Sequence, residues 1–186
     1  MTFISRLLVV VYCIFTFPAC AENLLHDLGV KAKAIEFLEG SFVQRRTIAV
    51  LPMPLNSSGE FSYGREQGIH WQTVQPIESS LWITSSAVLV NGDSFNNPAS
   101  VQFAQTLLSI FSGQYEVLLE QFNIEPSGDE DRWQLILTPR NDLVAARLAQ
   151  ILISGTDTAE LVEVQEVSGD QRSISFFIKN NQPVAP

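Results

Sequence analysis

Apolar and polar residues alternate with a period of two through most of the chain, and in two stretches the period lengthens to that of a helix. The clearest alternation runs from Gly59 to Thr84. Phe61, Tyr63 and Arg65 share one parity; Ile69, Trp71 and Thr73 share a second run, and Leu81 and Ile83 a third. Their partners Ser62, Gly64, His70 and Gln72 are small or polar. Gly64 and Gly68 bracket Arg65, Glu66 and Gln67 as a hairpin loop, and Gln75-Pro76 stops the second run because proline cannot donate to a ladder. The pattern predicts a three-strand meander with one apolar face. Arg65 falls on that face at the strand's end, where a cation needs acceptors.

Either side of the meander the same reading continues. Leu24, Leu28, Ala32, Ile35 and Leu38 lie at helical spacing, predicting an amphipathic helix over 22–39 capped by Gly40. Ser41 to Leu51 reads as a strand closed by Pro52 and Pro54, with 55–58 as a connecting turn. Ala87 to Val90 reads as a short strand ending at the turn Asn91-Gly92-Asp93. Asn97 as N-cap and Pro98 at the first helical position open a second helix, whose stripe Val101, Ala104, Leu107, Leu108 and Phe111 ends at Gly113. Tyr115 to Ile124 and Trp133 to Leu137 predict a hairpin around the polar loop 126–131. In 143–153 a helical turn capped by Asn141 and Asp142 gives way near Arg147 to a strand. Glu160 to Val167 and Ser173 to Lys179, joined by Ser168-Gly169-Asp170, complete the series before a tail over 180–186. About ten strands and two main helices predict a large curved antiparallel sheet with helices on one face.

Composition changes this picture at the N-terminus first. Arg6, the apolar run Leu7 to Phe17 and the small-x-small site Ala19-Cys20-Ala21 predict an export signal over 1–21, with the mature chain starting near Glu22. Phe17-Pro18-Ala19-Cys20 is also readable as a lipid-attachment box at Cys20, although Phe and Pro stand where small or aliphatic residues are usual. Both cysteines, Cys13 and Cys20, lie inside the signal, so no disulfide framework is expected. One domain over 22–186 is expected from the length. Losing Arg6 leaves ten basic against twenty acidic residues, a balance that argues against nucleic acid and against docking on anionic membranes.

Catalytic chemistry finds little purchase. His26 and His70 have no metal-ligand spacing, and no Gly-x-Ser-x-Gly or phosphate-cradling loop is present. Asp129-Glu130-Asp131 reads as a solvated turn in preference to a calcium site. No enzyme activity, metal or cofactor is expected. The apolar parity of the meander describes a solid core as well as it describes a cavity wall.

A resemblance separates those two readings. Phe42, Gln44, the spacing Arg65-x-x-x-Ile69-x-Trp71, the segment Gln75-Pro76 to Ser79-x-Leu81, and Asp170-Gln171-Arg172-Ser173 together resemble the periplasmic outer-membrane lipoprotein carrier family, LolA-like, over most of the mature chain. The stretch Leu51-Pro52-Met53-Pro54-Leu55 and the Gly59-x-Phe61-x-Tyr63-x-Arg65 pattern are similar to a divergent branch, and Ile69 stands where an aromatic is common. The resemblance implies an unclosed antiparallel β-barrel of about ten or eleven strands with a helical lid over an apolar cavity. It implies ligand contacts at Phe42, Phe61, Tyr63, Ile69, Trp71, Leu81, Ile83, Leu107 and Phe111, with Arg65 as the latch that hydrogen-bonds lid backbone. The implied protein is a monomeric periplasmic carrier of acylated lipoprotein or lipid cargo between an inner-membrane donor transporter and an outer-membrane acceptor. A lipid-anchored acceptor of the same fold, or a stress-sensing or scaffold module that binds a protein partner, are the alternatives.

Overall fold

Strands with one apolar face need a cover, and the way this chain supplies one decides where its site lies. The computed structural model describes residues 19–95 and 97–184. Eleven strands form one antiparallel sheet: β1 (Ile35–Thr47), β2 (Leu55–Gly64), β3 (Gly68–Gln75), β4 (Ser79–Ile83), β5 (Val88–Val90), β6 (Asp93–Ser94), β7 (Phe122–Gly128), β8 (Trp133–Pro139), β9 (Leu148–Gly155), β10 (Ala159–Glu166) and β11 (Gln171–Pro183). Their order is β6-β5-β4-β3-β2-β1-β11-β10-β9-β8-β7, so the first and last strands pair in the middle while β6 and β7 form two edges that do not meet. This is the unclosed antiparallel barrel.

Four helices accompany the sheet: α1 (Ala19–Lys33), α2 (Pro98–Ser112), α3 (Tyr115–Gln121) and the single turn α4 (Asp142–Ala145). Because β6 and β7 lie at opposite edges, the α2–α3 segment must carry the chain across the open side of the sheet. The cover is therefore tethered at both ends. Asn97 caps α2 by accepting from Ser100 N at 3.1 Å, and Gly113 closes it in the left-handed region at φ 70°. A side chain at Gly113 would also meet Gly29 O of α1 at 2.7 Å, so this glycine serves both the cap and the helix crossing.

Several boundaries differ from the sequence reading for identifiable reasons. The first helix ends at Lys33, and Ile35 to Glu39 belongs to β1. Ile35 and Leu38 imitate helical spacing because β1 shifts register between Ile35 and Phe37 against β11. Gly40 is a strand residue, pressed so close to Phe177 that a Cβ would lie 2.3 Å from its carbonyl oxygen. β1 stops at Thr47, short of Leu51, and 55–58 is the beginning of β2 and pairs with β1. Tyr115 to Gln121 is helical, and only Phe122 onward is strand. β11 runs on to Pro183, through most of the expected tail. The expected signal falls largely on residues 1–18, outside the described residues, while Ala19, Cys20 and Ala21 lie at the start of α1.

The core occupies the concave side. Leu38, Phe42, Phe61, Tyr63, Ile69, Ile83, Leu135, Leu137, Ile151, Ile153, Val162 and Ile174 are buried from the sheet, and Ala104, Leu107, Leu108 and Phe111 from α2. Sheet and cover share one apolar interior.

Candidate functional site

The nine residues expected to contact ligand divide into two groups. Phe42, Phe61, Tyr63, Ile69 and Phe111 are buried in the core. Phe42 lies 3.8 Å from Trp71 between ring centroids, and Phe111 of α2 lies 5.7 Å from Phe61, 6.3 Å from Tyr63 and 5.4 Å from Phe176. The stacked and edge-on geometries are those that aromatic rings prefer. Phe111 thus fills the centre of the concave face. Phe176, on the parity of Ile174 along β11, is the hub the sequence reading missed.

The other four, Trp71, Leu81, Ile83 and Leu107, line a cavity of about 170 Å³ between α2 and the meander. Val88, Val90, Phe95, Phe103, Ala104 and Ile174 complete its apolar wall, and Gln44, Ser100 and Arg172 add polar groups. An apolar cavity of about 150 Å³ holds one benzene ring, so this space has room for a small apolar group and no more unless α2 moves. A larger depression of about 340 Å³ lies among Glu39, Glu60, Ser62, His70, Gln72 and Lys179. Its polar wall suits no acyl group.

Arg65 stands just past the end of β2, its side chain 36% exposed, and turns to the start of β1. Its guanidinium donates through Nη2 to the carbonyls of Lys33 and, at 3.0 Å, Ile35, and through Nε to the Glu36 carboxylate at 3.1 Å. Lys33 is the last residue of α1, whose terminal carbonyls have no partner within the helix. The acceptors that parity demanded are the helix-end carbonyl of Lys33, the strand carbonyl of Ile35 and the Glu36 carboxylate. Burial pushes the neighbouring Tyr63 hydroxyl above its ordinary pKa, an effect the Arg65 charge opposes and the Glu36 charge reinforces.

The helices are tied to one another and to the sheet by few polar contacts. Lys33 of α1 pairs with Glu116 of α3 at 3.1 Å, and Lys31 with Glu130 at 3.1 Å. The backbone N–H of its own turn, and then the bond from Lys33, lower the Glu116 carboxyl from its ordinary pKa. Gln105 of α2 donates to Thr84 O at 2.9 Å. Arg172 of β11 lies over the Phe103 ring of α2 at 4.9 Å. Apart from these, α2 rests on the sheet through apolar side chains.

Among the described residues no group of three or more His, Cys, Asp or Glu is arranged to hold a metal ion. The Asp129 carboxylate accepts from the backbone N–H of Asp131 and Arg132 at 3.0 Å each, which makes it a turn residue. His70 sits on the sheet face opposite Trp71, stacked on Trp82 at 4.2 Å with Nε2 3.1 Å from Ser80 Oγ. No helix of the described residues is long and apolar enough to cross a membrane.

The family described as outer membrane lipoprotein carrier protein LolA matches residues 33–186. Among solved structures, a crystal structure of MucB is similar at a TM-score of 0.52 and 16% identity, over 91% of this chain and 62% of that one. The MucA/MucB complex of Pseudomonas aeruginosa gives 0.48 and 16%, over 90% and 58%. A putative outer membrane lipoprotein-sorting protein domain from Vibrio parahaemolyticus gives 0.42 and 8%, over 89% and 92%. The chain spans about three fifths of the length of the MucB chains it matches. Among curated protein sequences nothing matches it. At 16% identity the MucB structure speaks to the fold alone, and the family match over residues 33–186 speaks to kinship: the chain belongs to the outer membrane lipoprotein carrier protein LolA family.

Proposed function

We propose that this protein is a periplasmic carrier that takes the acyl chains of a lipoprotein or other lipid into the space under α2 and moves them from an inner-membrane donor to an outer-membrane acceptor. The observation that carries the reading is the 170 Å³ apolar cavity, placed where a cover tethered at both sheet edges meets the concave face. Membership of the carrier family supports it. In this reading residues 1–21 are removed on export and 22–186 form one carrier domain.

The energetics suit transfer. Burying a dozen methylenes at ~0.8 kcal/mol each yields about 10 kcal/mol before losses. Part of that is already realised in the closed protein, because Leu107 and Phe111 bury their surfaces against the sheet when no chain separates them. An incoming chain gains only the difference. Moderate net affinity is what a carrier needs, since cargo it cannot release is not delivered. Arg65 enters the same balance through α1, whose last carbonyl it holds and against which the end of α2 and the start of α3 pack.

The test is titration of delipidated protein with a fluorescent fatty-acid analogue, followed through the emission of the probe itself. One-to-one binding is expected, weakened at least about tenfold by Trp71→Ala or Leu81→Arg, since each removes contact worth more than 1.4 kcal/mol. Absence of uptake by the wild type would remove the carrier reading and leave a protein-binding module of the same fold.

A further inference from the structure

Arg172 is a cation in an apolar place. It shares the parity of Ile174 and Phe176 on β11, so its side chain enters the concave side and forms part of the cavity wall. Its Nε is buried without a hydrogen-bond partner among the described residues. No carboxylate of those residues lies within ion-pair distance of it. Asp170, two residues away, is engaged elsewhere: one oxygen accepts from Ala49 N at 3.0 Å and the other faces Arg46 Nη2 at 4.0 Å. Glu166 contributes only a more distant attraction. Arg46 is the direct cross-strand partner of Arg172, so a second positive charge stands behind the first. Two like charges side by side destabilise a sheet, and a guanidinium N–H buried without an acceptor is costly. Burial, and then Arg46, push the Arg172 pKa below the usual arginine value, which is the sign of a cation short of compensation.

The chemistry that would compensate it is an anion with an apolar tail. We propose that Arg172, backed by Arg46, is the anchor for the anionic end of the ligand, a carboxylate or phosphate oxygen, whose acyl chain enters the cavity beside Trp71 and Leu107. Nε and the terminal nitrogens of a guanidinium present a fork matched to either oxygen acid. The Phe103 ring holds the fork from α2, so the anion arrives where sheet and cover meet. This inference rests on the carrier reading and adds the ligand's charge to it.

The experiment compares dissociation constants of laurate, dodecyl phosphate and neutral monolaurin for delipidated wild type, Arg172→Gln and Arg172→Lys, at a pH where laurate is ionised. The wild type should bind one or both anions about tenfold or more tightly than monolaurin, as a charge-assisted bond in a desolvated site would give. Preference for laurate would name a fatty-acid carboxylate as the source, and preference for dodecyl phosphate a phosphate-bearing lipid. Arg172→Gln should erase the preference while keeping monolaurin affinity, and Arg172→Lys should restore part of it. The wild-type comparison stands even if a variant fails to fold. Equal binding of anionic and neutral chains by the wild type overturns the anchor but leaves the carrier reading intact. An equal loss for all three ligands in Arg172→Gln would make Arg172 a support for α2 and also overturn it. Failure of every chain to bind would overturn the carrier reading itself.

Discussion

At the residue scale two arginines, Arg65 and Arg172, stand at the ends of apolar runs, and only the first stands out from its local pattern. Arg65 was legible because it ends a run of alternating aromatics, and the structure supplies it with the Lys33 and Ile35 carbonyls and Glu36. With its side chain 36% exposed, those bonds are worth about 1 kcal/mol in all, less than buried ones would be. Arg65→Leu should therefore lower the stability of the ligand-free protein modestly, preserve uptake and slow release to an acceptor, because the closed state competes with cargo. Stopped-flow transfer of a fluorescent acyl chain to acceptor vesicles measures this, and wild-type release by Arg65→Leu would show that the closed state is held by other contacts. In the sequence Arg172 stands out only within Asp170-Gln171-Arg172-Ser173, as part of the family resemblance. Its burial depends on Phe103, from an element about seventy residues earlier, which no local pattern reveals.

At the element scale, the legible parts were those whose period was unopposed. The meander, the hairpin at Ser168-Gly169-Asp170 and both caps of α2 agree with their local chemistry, since Asn97 and Gly113 each satisfy helix-end groups. The misread parts are short or bulged. Tyr115, Leu118 and Phe122 are buried at spacings of three and four, the period of α3, but a seven-residue stretch with Tyr and Val fits a strand equally well. Tyr115 then does what a strand residue would not: it packs against α1, its ring 3.4 Å from the Cβ position at Gly29. Burial raises the pKa of its hydroxyl above the ordinary tyrosine value, as it does for Tyr63. A folded pKa above the unfolded one means this contribution to stability is complete below about pH 10 and is lost as pH rises through the folded value. Tyr115→Phe should flatten the alkaline limb of the stability curve while leaving it unchanged at neutral pH. Urea denaturation between pH 7 and 11 reads the difference, and an unaltered alkaline limb would place the titration elsewhere.

At the scale of the whole molecule, the sheet's order explains why the site is where it is. Pairing β1 with β11 closes the middle of the sheet and leaves β6 and β7 apart, and the one long connection between them has to pass over the concave face. That connection carries α2, so the cover is built into the chain and stays tethered at both edges however far it bends away. The alternating strands and the inserted stripe from Val101 to Phe111 already indicate a large curved sheet with helices on one face, and the family resemblance adds the open barrel and the helical lid. Neither shows how full the space beneath would be, because filling depends on Phe111 and Phe176 meeting across elements. The central claim is that this space takes acyl chains in the periplasm. Native mass spectrometry of the protein isolated from its own periplasm tests it most directly. The account predicts a species at the mass of the chain starting near Glu22 carrying one acylated molecule, released on activation as a lipid or lipopeptide. A protein recovered only as a bare chain, or only with a protein partner and no lipid, would contradict it.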